Sequence, residues 1–312
     1  MDARRKEIGR RLKAYRRGSG LKADEIAHRL NISRSALYRM EEGEIVKIET
    51  LDALARVLNT SLASLLGVGV EYYSKAGAYF ERMHQLEAGA DQIIARFMPI
   101  SFLLTTKEYS GYLRQMLIEA LPADEAKPEA IAEIDTIMAI LTTRKTAAKP
   151  PRVIALMSVP EVERFVQFGV IGRFGLPANE WERRRAAARR EIENIRDFLI
   201  DPRQGIEVGL IDEMLPNMAF QLFQSRKETI LAVSPFRLSE MPNIRYGVAT
   251  VTAAPEAVAL HEKLAADLWR RALKGPRAAA RLTEVMTRAA SGDTAELPLT
   301  RAPSRRRKSR HY

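Results

Sequence analysis

Between residues 4 and 67, apolar side chains recur at helical spacing in five short bursts, each cut off by glycine, asparagine or serine. Ile8, Leu12 and Tyr15 share one face before a break at Gly18, Ser19 and Gly20. Ile26, Ala27 and Leu30 follow, then a turn at Asn31, Ile32 and Ser33. Ser33 is placed to cap a third helix carrying Leu37 and Met40, and Gly43 to end it. Two more segments carry Leu51, Leu54 and Leu58, then Leu62, Leu65 and Leu66. Helices this short need one another's apolar faces, so residues 1–67 are expected to form one compact five-helix domain.

Charge divides the chain in the same place. The net charge is +11, of which +5 lies in residues 1–67 and +6 in residues 301–312, while 68–300 hold 30 basic and 30 acidic residues and are neutral. Positive charge confined in this way is the footprint of a polyanion-binding module attached to a body that is not one. The plainer reading is solubility. The absence of cysteine excludes disulfides, thiolate zinc sites, cysteine-ligated iron-sulfur clusters and cysteine nucleophiles. The opening MDARRKEIGRR holds no apolar leader, and no apolar run is long enough for a bilayer. A soluble, cytoplasmic protein with no membrane association is expected.

From Tyr72 through Ala76, Tyr79, Met83, Leu86, Ala90 and Ile93 to Phe97, spacings of four and three alternate up to Pro99. This heptad seam predicts one helix over 72–97, suited to self-pairing in a dimer. Gly77 and Gly89, with Ile94 and Met98 widening the stripe, suit an ordinary core-facing helix instead. Helices near 107–121 and 128–142 complete a helical connector over 68–150, which ends in the linker-like KTAAKPP. Residues 151–290 read as an α/β domain. Its apolar run spans Val153 to Met157, its strand candidates are 206–211, 229–233 and 244–252, and its helices lie near 160–172, 179–200 and 255–273. Residues 291–312 are poor in large apolar side chains and predict a disordered basic tail. The expected fold class is α plus α/β.

The segment LKADEIAHRLNISRSALYRMEEG, residues 21–43, resembles the helix-turn-helix of the Xre/Cro/lambda-repressor family. The likeness rests on the small Ala27, the apolar turn residue Ile32, the capping Ser33 and the ending Met40-Glu41-Glu42-Gly43. With TLDALARVLNTSLASLL behind it, the resemblance covers residues 4–67. Asn31 stands where the family usually has glycine, and asparagine tolerates the left-handed conformation such a turn needs. Asn59 repeats the substitution. Lys22-Ala23 replaces the family's Ser-Gln pair, which removes a side-chain cap and leaves Lys22 as the substitute phosphate contact.

The resemblance implies double-stranded DNA as partner, with the third helix in the major groove and Lys22, Ser33, Arg34, Ser35, Ala36, Tyr38 and Arg39 on the DNA-facing surface. Arg34 and Arg39 are the expected readers of base edges, because a guanidinium can donate twice to guanine O6 and N7. The alternative for each is a phosphate contact or a solvated charge. Ser35 and Tyr38 suit bases or phosphates, and Ala36 suits a thymine methyl. Glu41 matches the family's structural acid, with Arg16 as its ion-pair partner. One such domain reads a half-site, so a homodimer on an inverted repeat is expected.

The stretch IDEMLPNMAFQLFQSRKETILAVSPF, residues 211–236, is loosely similar to part of the regulatory domain behind many actinobacterial Xre-type proteins. It suggests a small-molecule or protein effector on residues 151–290. The basic run at 182–191 is either a solvated helix face or an anion site, and 304–312 either a phosphate-binding or a plain tail. His28, His84, His261 and His311 are isolated, and no hydrolase, zinc-protease or phosphate-loop motif is present. Asp212 and Glu213 are adjacent on a strand candidate and point to opposite faces. No catalytic residue, metal site or cofactor is therefore expected. The expected function is sequence-specific transcription regulation; an antitoxin-like interaction protein with autoregulatory DNA binding and an enzyme carrying a DNA-targeting module are the alternatives.

Overall fold

The computed structural model describes residues 3–44, 47–145, 151–202, 205–216 and 218–291. The first helices are α1 (Ala3–Gly18), α2 (Ala23–Arg29), α3 (Arg34–Glu41), α4 (Ile48–Val57) and α5 (Leu62–Leu66). Each contributes a side chain to one centre: Leu12, Ile26, Leu37, Leu54 and Leu65 are at most 1% exposed. Their short apolar faces leave no other way to exclude water, and this bundle is the head of the molecule.

Behind the head the chain runs through β1 (Val70–Tyr73), α6 (Ala76–Glu87), β2 (Gln92–Arg96), α7 (Tyr109–Glu119), α8 (Pro128–Lys145), β3 (Arg152–Ser158), α9 (Val159–Phe168) and α10 (Ala178–Ile200). It continues as β4 (Ile206–Ile211), β5 (Ala219–Gln224), β6 (Thr229–Ser234), β7 (Ala249–Thr252), α11 (Pro255–Arg271) and α12 (Gly275–Ser291). The strands form one mixed sheet in the order β1-β7-β6-β5-β2-β3-β4. β2, β3 and β4 run parallel, with α7 and α8 in one crossover and α9 and α10 in the other, and the remaining pairs are antiparallel. Among the described residues no helix is long and apolar enough to cross a membrane.

The strand period of two sorts the apolar side chains into two cores. Val153, Ala155 and Met157 join the larger core with α6, α8, α9, α10 and α12. Leu156, Phe220, Leu222 and Leu231 face the other way and pack on Val258, Ala265 and Leu268 of α11. Between α11 and α12 the chain passes the β4 edge, where Leu273 and Leu210 exchange backbone hydrogen bonds at 2.8 and 2.9 Å. That pairing covers part of an edge strand that would otherwise be open.

The helix expected over 72–97 is not formed; these residues make part of β1, then α6, then β2. In Val70-Glu71-Tyr72-Tyr73 the period is two, with Glu71 and Tyr73 buried and Tyr72 55% exposed. Ala88, Gly89, Ala90 and Asp91 separate α6 from β2, whose position inside the sheet requires apolar residues on both faces and so extends the apparent seam. A continuous self-pairing helix is thereby removed, and the connector over 68–150 is not purely helical, since it supplies two strands of the sheet. The candidate at 244–252 shortens to β7, and β5 and α12 lie outside the expected elements. The expected tail, from 292 onward, and most of the expected linker, 146–150, lie outside the described residues.

The head is fastened to the body along α1. Gly18 meets the start of α6 so closely that a Cβ there would approach within 2.3 Å of Ala78. Next to this backbone contact lies a buried ion network centred on Glu71, whose carboxylate accepts from Arg11 Nε at 2.5 Å, Tyr73 Oη at 2.6 Å and Arg82 Nε and Nη2 at 3.0 and 3.1 Å. Arg82, 1% exposed, also donates to Glu7 at 3.3 Å. The Tyr15 ring stacks on Tyr73 at 4.7 Å, and its hydroxyl donates to the Tyr72 carbonyl at 3.0 Å. Glu7, Arg11 and Tyr15 belong to the head, and their partners belong to the body. The orientation of the head is thus set by specific polar geometry as well as by apolar packing.

Candidate nucleic-acid interface

The two central helices of the head meet through a turn whose shape is set by three residues. Asn31 has φ +51°, a left-handed conformation that asparagine adopts at lower cost than most residues. The turn closes through Asn31 N–H donating to His28 O at 3.1 Å and Ile32 N–H to Ala27 O at 3.0 Å. Ser33 then caps α3, its hydroxyl oxygen accepting from Ala36 N–H at 3.1 Å. Asn31→Ala is expected to lower stability by about 1 kcal/mol, read as a small fall in the melting temperature of the purified protein.

At the other end of the unit, α2 begins without a side-chain cap from Lys22, which carries no acceptor. Glu25 reaches back instead and accepts from the Lys22 N–H at 2.7 Å. The ammonium group of Lys22 is left at the surface at the positive end of α2.

Along α3, Leu37 and Met40 point into the core, while Arg34, Ser35, Tyr38 and Arg39 are exposed and Ala36 is half-buried. The Ser33 and Ser35 hydroxyls lie 3.0 Å apart. Arg34 Nε donates to Tyr38 Oη at 3.3 Å, and Arg34 lies over that ring at 5.5 Å. Arg16 lies 5.5 Å from the centre of the same ring. Arg16 also forms a two-pronged ion pair with the buried Glu41, Nη2 donating to Oε2 at 3.0 Å and Nε to Oε1. This pair ties the end of α3 to α1 and raises the Arg16 pKa further, chiefly through the hydrogen bond to Glu41.

Two residues outside the expected set share this surface. Asp24 pairs with Arg34 at 3.6 Å, and Glu44 with Arg39 Nε at 2.6 Å. Both pairs are more than half exposed on the arginine side, so exchanging the carboxylate for another acceptor costs little. The signal for Glu44 is its place just past Gly43, where the chain doubles back toward Arg39, and its backbone N–H donates to the Arg39 carbonyl at 3.0 Å. Asp24 carries no such local signal. Elsewhere, Asp212 and Glu213 are held in surface ion pairs, the first with Arg281 at 3.0 Å and the second with Arg271.

A family model described as a helix-turn-helix domain matches residues 7–69. No curated protein and no solved structure matches the chain. The match spans the whole five-helix head from the first turns of α1, and a helix-turn-helix domain is the kind of module that binds DNA. The chain therefore carries a helix-turn-helix module on a body with a mixed sheet and helices on both faces.

Proposed function

We propose that this chain is a sequence-specific transcription regulator of the Xre/Cro kind, working without catalysis in the cytoplasm and binding an inverted repeat in double-stranded DNA as a homodimer. The observation that carries the reading is the exposed face of α3, where Arg34 and Arg39 are held in weak, exchangeable ion pairs on a capped helix. Such arginines can turn from a carboxylate to a guanine edge with little desolvation cost. Ser35, Tyr38 and Lys22 supply the neighbouring base and phosphate contacts, and Ala36 the apolar one. Because the head is fixed to the body, the distance between two heads is set by contacts between bodies, and the body also takes the effector or partner.

Selection of fragmented source DNA by the purified full-length protein at about 150 mM salt tests this reading. An enriched inverted repeat is expected, and retention with no enriched motif would overturn it. On the selected site, Arg34→Ala should cost about 1–3 kcal/mol and relax preference at one base pair of each half-site. An equal loss on all sequences would make Arg34 a phosphate contact instead.

A further inference from the structure

We propose that the groove between the head and the body binds a small organic phosphate, a nucleotide-sized anion with an apolar or planar body. One wall is α1 and the end of α5; the other is the end of α6 and the hairpin joining β5 to β6. The groove is open to solvent and offers about 880 Å³, within the size range of sites that hold small ligands, which favour boundaries between structural units.

Its chemistry is that of an amphipathic anion. Leu66, Leu86, Phe223 and Ile230 give an apolar floor, and of the six basic side chains that line the space with three acidic ones, Arg11 and Arg82 are committed to Glu71, which leaves Lys6, Arg10, Arg226 and Lys227 to face an anion. Two of the cations, Arg226 and Lys227, stand at the hairpin tip in a turn that is tightly held. Ser225 N–H and Oγ both donate to the Glu228 carbonyl, at 3.1 and 3.0 Å, and the Ser225 hydroxyl accepts from Lys227 and Glu228 N–H at 3.3 Å. The cations are thus presented by a braced turn, across the groove from Lys6 and Arg10 of the head.

A further cation faces the same space. Arg10 is engaged by Glu7 at 2.5 Å in a pair whose guanidinium is half exposed, so a phosphate can replace that carboxylate at small cost. Gln85 also lines the groove, its amide N–H donating to Glu81 at 3.3 Å. A DNA backbone would use the cations but leave the apolar floor empty, which is why a small organic anion is favoured. Since the two walls belong to head and body, bound ligand would favour one orientation of the head, and DNA and ligand affinities would be linked reciprocally.

Only this last consequence rests on the regulatory reading; binding itself is tested without DNA. Full-length protein is titrated calorimetrically with ADP and, separately, with pyrophosphate at about 150 mM salt. The same titrations use the double variant Arg226→Ser, Lys227→Ser, with its melting temperature compared to the parent's. ADP is expected to bind with Kd below about 1 mM, pyrophosphate more weakly, and the double variant to lose about tenfold in ADP affinity with unchanged melting. Absence of ADP binding to the parent, equal binding of pyrophosphate, or ADP affinity unchanged in the variant would each overturn the proposal. Loss of DNA retention in the variant with no ADP binding to the parent would assign the hairpin to DNA instead.

Discussion

Glu71→Ala is expected to cost about 3–5 kcal/mol of stability, because it strips the compensating charge from two arginines at once. Arg82 is left 1% exposed with only Glu7 at 3.3 Å, and Arg11 and the Tyr73 hydroxyl lose their acceptor. The measurement is urea unfolding followed by both circular dichroism and tyrosine fluorescence. Separation of the two transitions would mark undocking of the head from the body. Glu71→Gln keeps the shape and part of the hydrogen bonding, so it should fall between the parent and the alanine variant. A loss under about 1 kcal/mol for Glu71→Ala, the scale of an exposed pair, would show that the network is not buried in solution.

The same site sets an acid limit. Burial pushes the Glu71 carboxyl up, but the charges of Arg82 and Arg11 and the hydrogen bonds of Tyr73 and Arg11 push it down further, so it ends below its ordinary value near 4.5. A group depressed in the folded state contributes stability above its unfolded pKa and loses it as pH falls through the folded pKa. The parent should therefore lose the contribution of this network below about pH 4.5, and Glu71→Gln should show a flatter stability profile in that range.

A second large effect is expected from Gly9→Ala. A Cβ at that point of α1 would stand 2.3 Å from the Glu41 carbonyl oxygen and 2.8 Å from that of Met40, both backbone atoms at the end of α3. Neither can give way without moving α3, so a cost of about 1–3 kcal/mol or more is expected. The displacement also opens the Arg16–Glu41 pair, so DNA retention should fall with stability. Gly111→Ala is the control, since its added carbon meets open space in α7 and helix interiors prefer alanine. Equal melting temperatures for the two variants would refute the close packing of α1 on α3.

The contrast between head and body shows what one-dimensional pattern can carry. The head is legible because its contacts are local and its turn chemistry is explicit: Asn31, Ser33 and Gly43 mark helix ends that the structure places within a residue or two. In the body, β3, β4 and β6 announce themselves as short apolar runs. β5 does not, because Gln221 and Gln224 interrupt its apolar residues; their side chains are matched by Tyr79 on α6 and Gln92 on β2. The false seam over 72–97 has a similar origin. Glu71 reads as a surface charge until Arg11 and Arg82 come in from elsewhere in the chain, and with it exposed there is no reason to suspect a strand. On the recognition surface, Arg34 and Arg39 are legible from helical phase, whereas the carboxylate that restrains Arg34 lies on another helix.

The pairing of β1 with β7, Val70 opposite Thr252 and Tyr73 opposite Ala249, carries a consequence for synthesis. All five helices of the head make contacts within a stretch of chain that leaves the ribosome before the body does, and such local structure forms fast. The strand that follows them has no neighbour until nearly the whole body has emerged, because long-range pairing waits for its partner. A growing chain therefore passes through a stage in which the head is folded but unoriented, and its final angle to the body is among the last things decided.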